Sequence, residues 1–305
     1  MKNLPALLRR RTRTTGTDIA PEPGPGTTRY VSWNLFLGGL DGASDERFRM
    51  QMEILSDLQP DVLGLQECDR WDEDNRGRLW TMADALGMEP AAMQRSRLGT
   101  VPVTNHTALL YRPSKFQLVG EPTVRGAGVF HHALIQARLR RVGAVDDSTD
   151  VLAFAGHWSW TDGETRLRES RWLTDYGGEW ADAPRRRVLL ADMNTPDRRR
   201  PKQWSRIPQN MHSRYRYVRP RGRFGAVDRR AVQVLLRSGW QDPQKLTGKK
   251  RGPTVGYYYP NEPVPWSLDY ILVNGLDDVQ SYYTHDTPQA RKAADHLPAV
   301  LDARA

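Results

Sequence analysis

Several apolar runs in this sequence end on a polar residue. "RYVSWN" (29–34) closes on Asn34, "VLGLQE" (62–67) on Glu67 and "VLAFAGH" (151–157) on His157. "VLLADMN" (188–194) carries Asp192 and Asn194, whose i, i+2 spacing puts both on one side of a strand. Asp269 lies on the Ile271 and Val273 face of "LDYILV", and Asp295 and His296 come together in "AADHLPAV" (293–300). Taken singly, each has an ordinary explanation. An Asn at a strand end is a turn residue, a Glu forms a salt bridge, and a His satisfies a structural hydrogen bond. As a set they are chemically coherent. Carboxylates and carboxamides are the hard oxygen ligands that Mg²⁺ prefers. An Asp beside a His fixes its tautomer and raises its basicity, and His296 is the natural partner of Asp269. Neutral amides hold a phosphate or a water without adding negative charge. These are the parts needed for metal-assisted hydrolysis of a phosphoester.

The elements that position them are short strands and amphipathic helices. Strands are expected at 29–35, 62–67, 106–112, 132–140, 151–157 and 187–192, with 266–273 and 279–284 as the last. The alternation in 62–67 puts Glu67 on the face shared by Leu63 and Leu65. Ser44 can cap a helix with Phe48, Met52, Leu55 and Leu58 on its apolar stripe, which Pro60 stops. Further helices are expected near 163–175 and over 226–238, the second ended by Gly239. Helices and strands intermix without strict βαβ alternation. The expected fold is therefore α/β (α+β), two sheets packed face to face with helices outside.

Charge is unevenly spread over the 305 residues. The chain is net +9, yet residues 185–251 hold twenty basic and four acidic side chains, so the rest outside the basic residues 1–26 is net acidic. Charge this dense repels itself, and a polyanion relieves the repulsion. Nucleic acid is the commonest such partner. Arginines at 198–200 and 214–223 interleave with Trp204, Tyr215, Tyr217 and Phe224, a pattern suited to phosphate contact and base stacking. "HWSW" (157–160) adds Trp158 and Trp160, for which core packing is the competing explanation. The expected substrate contacts are Arg198, Arg199, Arg200, Trp204 and Trp158. Residues 1–26 read as a disordered basic arm, and 27–305 as one domain. No apolar run is long enough for a membrane span, no signal-peptide core is present, and Cys68 is the sole cysteine. The expectation is a cytoplasmic or other intracellular protein with no obligate protein partner. The acidic stretch 68–78 lacks the spacing of a calcium loop and reads as a solvated loop.

In order along the chain, "SWNL" (32–35), "LGLQE" (63–67), "GHWS" (156–159), "LADMN" (190–194), "SLDYILV" (267–273) and "ADHLPAV" (294–300) resemble the endonuclease/exonuclease/phosphatase superfamily, which includes deoxyribonuclease I-like and abasic-site endonucleases. The resemblance spans roughly residues 28–303 and implies a four-layer sandwich of two mixed β-sheets with helices on the outside and the site at one end. It implies Mg²⁺, with Mn²⁺ as a substitute, held chiefly by Glu67 with Asn34 beside it and Asp295 completing the site. It casts Asp192 as the group that orients or deprotonates water, Asn194 and His157 as phosphate contacts, and Asp269–His296 as the Asp–His pair. Ala191 stands where the family usually has glycine, which raises the prospect of a tightened backbone there.

The implied activity is Mg²⁺-dependent phosphodiester hydrolysis in nucleic acid, with DNA the expected partner. Two alternatives stay open. One is a phosphatase or phosphodiesterase acting on a phosphoinositide, sphingolipid or other small phosphorylated substrate. The other is a nucleic-acid-binding protein without catalysis, which would have no use for so many acids beside a phosphate.

Overall fold

In a computed structural model of the chain, the alternating runs become two β-sheets stacked face to face. The structure describes residues 23–304 except 25, 99–100, 181, 198–203 and 277. Most of the arm read over residues 1–26 lies outside the described residues, as do Arg198, Arg199 and Arg200.

The strands are β1 (Thr28–Asn34), β2 (Val62–Gln66), β3 (Glu89–Leu98), β4 (Val101–Tyr111), β5 (Phe116–Arg125), β6 (Leu134–Arg141), β7 (Val151–His157), β8 (Arg186–Asp192), β9 (Arg216–Val218), β10 (Phe224–Val227), β11 (Asp269–Asn274), β12 (Asp278–Thr284) and β13 (Ala299–Arg304). One sheet runs β12-β13-β1-β2-β4-β3, the other β11-β8-β7-β6-β5, and β9 with β10 forms a separate two-stranded ribbon. Both large sheets are mixed. The β1–β2 and β7–β8 pairs are parallel and their other pairings antiparallel.

Alternation assigns each side chain to a layer. Tyr30, Val62, Ala153, Ala155, Val188, Leu190, Ile271 and Val273 fill the space between the sheets. Their neighbours Val31, Trp33, Leu63 and Leu65 face outward under α1 (Glu46–Leu58), α2 (Glu73–Leu86) and, later in the chain, the helix at Pro288–Ala293. On the far side, Leu152, Phe154, Leu189, Ala191 and Leu272 pack beneath residues that follow α3 (Gly163–Ser170) and under the helix at Arg230–Arg237. Along the chain come α4 (His212–Tyr215), α5 (Arg230–Arg237), α6 (Pro243–Thr247) and α7 (Pro288–Ala293). Four layers result, as expected from the sequence. The sheets approach closely at Gly64, where an added Cβ would stand 2.7 Å from Leu190 Cβ.

The helix α1 begins one residue later than a Ser44 cap would set it: Asp45 is the N-cap and makes no side-chain cap bond, while Ser44 Oγ accepts from the Glu46 N–H at 3.3 Å. It ends one residue before Gln59, which takes φ 50°. Several elements differ from the sequence expectation. β10 occupies residues expected to begin a helix, because Val227 pairs with Arg216, and α5 starts only at Arg230. β11 begins at Asp269 rather than Trp266. β13 follows the two strands expected to be last, and lies between β12 and β1. Finally, α2 takes in part of the acidic stretch 68–78, although Asp74, Asn75 and Arg76 have left-handed φ.

Candidate active site

At one end of the inter-sheet core the apolar side chains give way to polar ones. β7 and β8 run parallel with His157 beside Asp192, and antiparallel β11 sets Asp269 on the other side of Asp192. Three neighbouring strands thus bring three polar side chains into one row. The facing sheet supplies Asn34 from the end of β1, and Glu67 directly after β2. The chain entering β13 supplies Asp295 and His296.

Two left-handed residues complete the geometry. Alternation alone would point Glu67 with Leu63 and Leu65 toward the helices. Instead β2 ends at Gln66 and Glu67 takes φ 53°, so the alternation stops and its carboxylate meets Asn34. Asn194, at φ 45°, curls back so that its N–H donates to Asp192 Oδ1 at 2.8 Å. Ala191 is ordinary extended backbone within β8, with Tyr270 opposite it in β11. The missing glycine therefore produces no strain there.

Asn34 ties the two sheets together. Its Nδ2 donates to Glu67 Oε1 at 3.1 Å and to Asp192 Oδ2 at 3.0 Å, while its Oδ1 accepts from the Phe36 N–H at 3.0 Å. Its oxygen is engaged, and its nitrogen bridges the two carboxylates. Glu67 Oε2 also accepts from the Leu37 N–H at 3.2 Å. His296 Nδ1 donates to Asp269 at 2.9 Å and 3.1 Å, as the expected pair requires, and stands 3.8 Å from Asp192 Oδ2. Trp33 Nε1 donates to the His296 carbonyl at 2.9 Å and fixes that loop to β1.

His157 is 2% exposed, with Nε2 3.6 Å from Asp192 Oδ2, too far for a hydrogen bond. His132, which the sequence analysis does not single out, stacks flat on it with ring centroids 3.7 Å apart. Asn194 Nδ2 donates to the Trp158 carbonyl at 3.0 Å. Trp158 enters the site through its backbone, its N–H also donating to the Asp192 carbonyl at 2.8 Å. Its ring is 0% exposed, packs edge-on against Phe130 and donates through Nε1 to Ser170 Oγ. The expectation that it stacks on substrate is therefore corrected, because a fully buried ring presents no face. Trp204 sits away from the acids and packs on Trp266 and His212, with the Arg216 guanidinium over its ring.

Burial and like charge shape the titration of the cluster. Burial first, and then the Asp295 charge, push the Glu67 carboxyl up. Burial pushes Asp295 up as well. Burial and Asp269 raise Asp192 to about 7, against the pull of His296 and Asn34. Burial disfavours a charged His296, but Asp269 and Asp192 outweigh it and hold the imidazole well above its usual range. His157 goes the other way, lowered by burial and by its histidine neighbours.

Two groupings could hold a metal ion. Asp192, Asp269 and His296 each offer a ligand atom, all within 4.8 Å of one another. In that group His296 Nδ1 is already bonded to Asp269, which leaves Nε2 as its free ring nitrogen or requires a metal at Nδ1 to replace that bond. Glu67 and Asp295 form the second, an all-oxygen set. Asp295 Oδ1 is buried without a hydrogen-bond partner, and both residues face the same cavity. An orphaned buried oxygen beside a second carboxylate fits a hard divalent cation.

The site opens into a cavity of about 540 Å³ whose lining includes Glu67, Asn194, Asp295 and His296. Its outer walls come from residues 210–215 and 255–268 and from Trp160. Much of the basic segment is absorbed by the fold. Arg187 is buried against the Pro184 and Tyr176 carbonyls, Arg230 pairs with Asp228 and Glu164, and Arg251 lies over Tyr270 and Tyr282. Arg219, Arg221 and Arg223 remain exposed on the β9–β10 ribbon.

A sequence profile described as the Endonuclease/Exonuclease/phosphatase family matches residues 31–296. No curated protein matches the sequence. Solved structures of similar fold include the human Nocturnin catalytic domain with bound sulfate, at 16% identity and TM-score 0.58, covering 91% of this chain and 93% of that one. An endonuclease/exonuclease/phosphatase family protein from Bacteroides thetaiotaomicron aligns at 16% identity and TM-score 0.59, covering 92% and 96%. ANGEL2, described as a 2′,3′-cyclic phosphatase, aligns at 14% identity and TM-score 0.55, covering 91% and 95%. At these identities the likeness is one of fold.

Proposed function

This chain belongs to the endonuclease/exonuclease/phosphatase family, a family of phosphoester hydrolases, and from that premise we propose that it hydrolyses phosphodiester bonds in nucleic acid, DNA foremost, with Mg²⁺ or Mn²⁺. The observation that carries the reading is the Asn34–Glu67–Asp192–Asp269–His296 constellation, which reaches a cavity through Glu67 and His296. The choice of nucleic acid rests on the charge of residues 185–251 and on the arginines exposed on the β9–β10 ribbon. No helix among the described residues is long and apolar enough to cross a membrane. An intracellular site of action is part of the proposal, in keeping with a single, buried cysteine.

In the proposed mechanism Glu67 and Asp295 hold the divalent ion, and Asn34 fixes the Glu67 carboxylate for the task. Such an ion, when bound, polarises a phosphoryl oxygen and stabilises the leaving alkoxide. Asp192, oriented by Asn34 and by the Asn194 N–H, takes the proton from the attacking water. His296, held protonated by Asp269, faces Asp192 and stabilises its ionised form. Asn194 offers its second amide N–H to a non-bridging oxygen, where negative charge builds up. His157, neutral and fixed by His132, backs Asp192.

A second reading, a phosphatase or phosphodiesterase for a small phosphorylated substrate such as a phosphoinositide or sphingolipid, is favoured by the walled shape of the cavity. A substrate panel separates the two. Single-stranded, duplex and abasic DNA, RNA and phosphoinositides are incubated with Mg²⁺ or with EDTA. The nuclease reading predicts Mg²⁺-dependent cleavage of an oligonucleotide. Release of phosphate from the phosphoinositides alone would replace it with the second reading.

A further inference from the structure

Most of the outer part of the cavity is built from residues that the hydrolytic chemistry does not use, although Tyr259 is hydrogen-bonded to Asp295. Trp160 is 46% exposed, Tyr258 41% and Tyr259 38%, and all three line the cavity. They stand on loops outside the sandwich layers, and their exposure leaves aromatic face open where Trp158, two residues before Trp160, has none. Tyr258 and Tyr259 meet edge to face at 4.9 Å, and both contact Phe36, two residues beyond Asn34. The Arg214 guanidinium lies over the Trp160 ring, 4.8 Å from its centroid, and is pinned by Glu262 at 3.2 Å. It therefore presents a fixed planar cation. Two carboxamides also line the cavity. Asn261 makes one long contact, Nδ2 to Met211 Sδ at 3.8 Å, and Asn210 is exposed.

Flat aromatic and guanidinium faces together with carboxamide edges are the chemistry that recognises a heteroaromatic base. Stacking holds its face, and amide donors and acceptors read its rim. An acyl chain would cover the two carboxamides without offering them a hydrogen-bond partner, so a lipid tail suits the cavity poorly. About 540 Å³ lies in the ordinary range for a small-molecule site. A base still stacked within a duplex cannot offer its face to these residues.

We propose that this outer cavity is a subsite for one unpaired nucleobase of the substrate, adjoining the scissile phosphate, with Trp160, Tyr258, Arg214 and Asn261 as its recognition groups. The inference builds on the nuclease reading and adds a substrate class to it, nucleic acid with an unpaired nucleotide at the point of cleavage. Single strands and frayed or looped ends are then preferred to continuous duplex.

The test has a binding arm and a turnover arm, both on the full chain with Mg²⁺. Calorimetry compares a nucleoside 5′-monophosphate with inorganic phosphate. The mononucleotide binds at least tenfold tighter, and Tyr258→Ala and Asn261→Ala each remove most of that difference, with melting curves confirming that the variants fold. The turnover arm uses an oligonucleotide with an abasic residue next to the cleaved bond, its normal counterpart, and methyl p-nitrophenyl phosphate, which has no base. The ratio of kcat/KM for the normal oligonucleotide to that for the base-free diester falls about tenfold in either variant. Equal affinity for mononucleotide and phosphate, or equal cleavage of the normal and abasic strands, overturns the subsite. If the mononucleotide binds as predicted while no nucleic acid is cleaved, the subsite stands and the nuclease reading falls.

Discussion

Asp192→Asn should raise stability and lower activity together. In the folded protein, burial and Asp269 hold the Asp192 carboxyl at about 7, against an ordinary value of 3.8. The raised value sets the sign. The folded state binds the proton more tightly than the unfolded chain does. Stability is therefore greatest below about pH 4 and declines as pH climbs through about 7. At pH 8, without metal, a shift of about three units at ~1.4 kcal/mol each means that the ionised carboxylate costs folding roughly 4 kcal/mol. Asparagine removes that cost and introduces a smaller one. Asp192 accepts from Asn34 Nδ2 through one oxygen and from the Asn194 N–H through the other. A carboxamide has a single oxygen, so one of these N–H groups must face an NH₂, at about 1–3 kcal/mol. The net is a gain of about 1–3 kcal/mol at pH 8, or a few degrees in melting temperature. At pH 5 most of the cost is already absent, and the gain disappears. The assay is thermal unfolding in EDTA at both pH values, paired with kcat/KM in Mg²⁺. Turnover falls roughly 10²- to 10⁴-fold with the loss of the base. Equal melting shifts at pH 5 and pH 8, or turnover within tenfold of wild type, would refute the reasoning.

Three further outcomes follow from the packing and the charge. Gly64→Ala places a Cβ 2.7 Å from Leu190 Cβ between the sheets; calorimetric unfolding should show a loss of about 1–3 kcal/mol. Trp158→Ala should cost about 3–5 kcal/mol in denaturant melts, because its ring is fully buried and bonded to Ser170, whereas Trp160→Ala, on a half-exposed ring, should stay within about 1 kcal/mol. Binding of a catalytically blocked protein to DNA should weaken steeply with salt. Replacing Arg219, Arg221 and Arg223 with alanine should flatten the logarithmic salt slope by up to about three in a titration from 50 to 200 mM.

The sequence already shows which strands converge, because buried strands alternate cleanly and their last residue is polar. His157, Asp192 and Asp269 lie where alternation and pairing put them, and the Asp269–His296 pair forms as expected. β3 and β5 escape notice because each is the edge of its sheet, where exposure dilutes the apolar signal. The left-handed turns at Glu67 and Asn194 are equally hidden, since neither residue is glycine and the conformation is held by tertiary contacts. The sequence also suggests more free positive charge than the structure presents. Arg187, Arg230 and Arg251 read as a nucleic-acid surface but serve as internal ties. The cavity walls are the least legible part. Trp160, Arg214, Tyr258 and Asn261 lie up to about a hundred residues apart, and only the fold brings them together.

The central claim is metal-dependent phosphodiester hydrolysis at the Glu67–Asp295 end of the sandwich. Its most direct test is cleavage of an end-labelled single-stranded oligonucleotide by wild type and Glu67→Gln, each with Mg²⁺ and with EDTA, alongside Mg²⁺-induced shifts in melting temperature. The account predicts cleavage by wild type in Mg²⁺ only. It also predicts that the folded variant loses both the cleavage and most of the Mg²⁺-induced shift. Full activity in Glu67→Gln, or cleavage by wild type undiminished in EDTA, would contradict it.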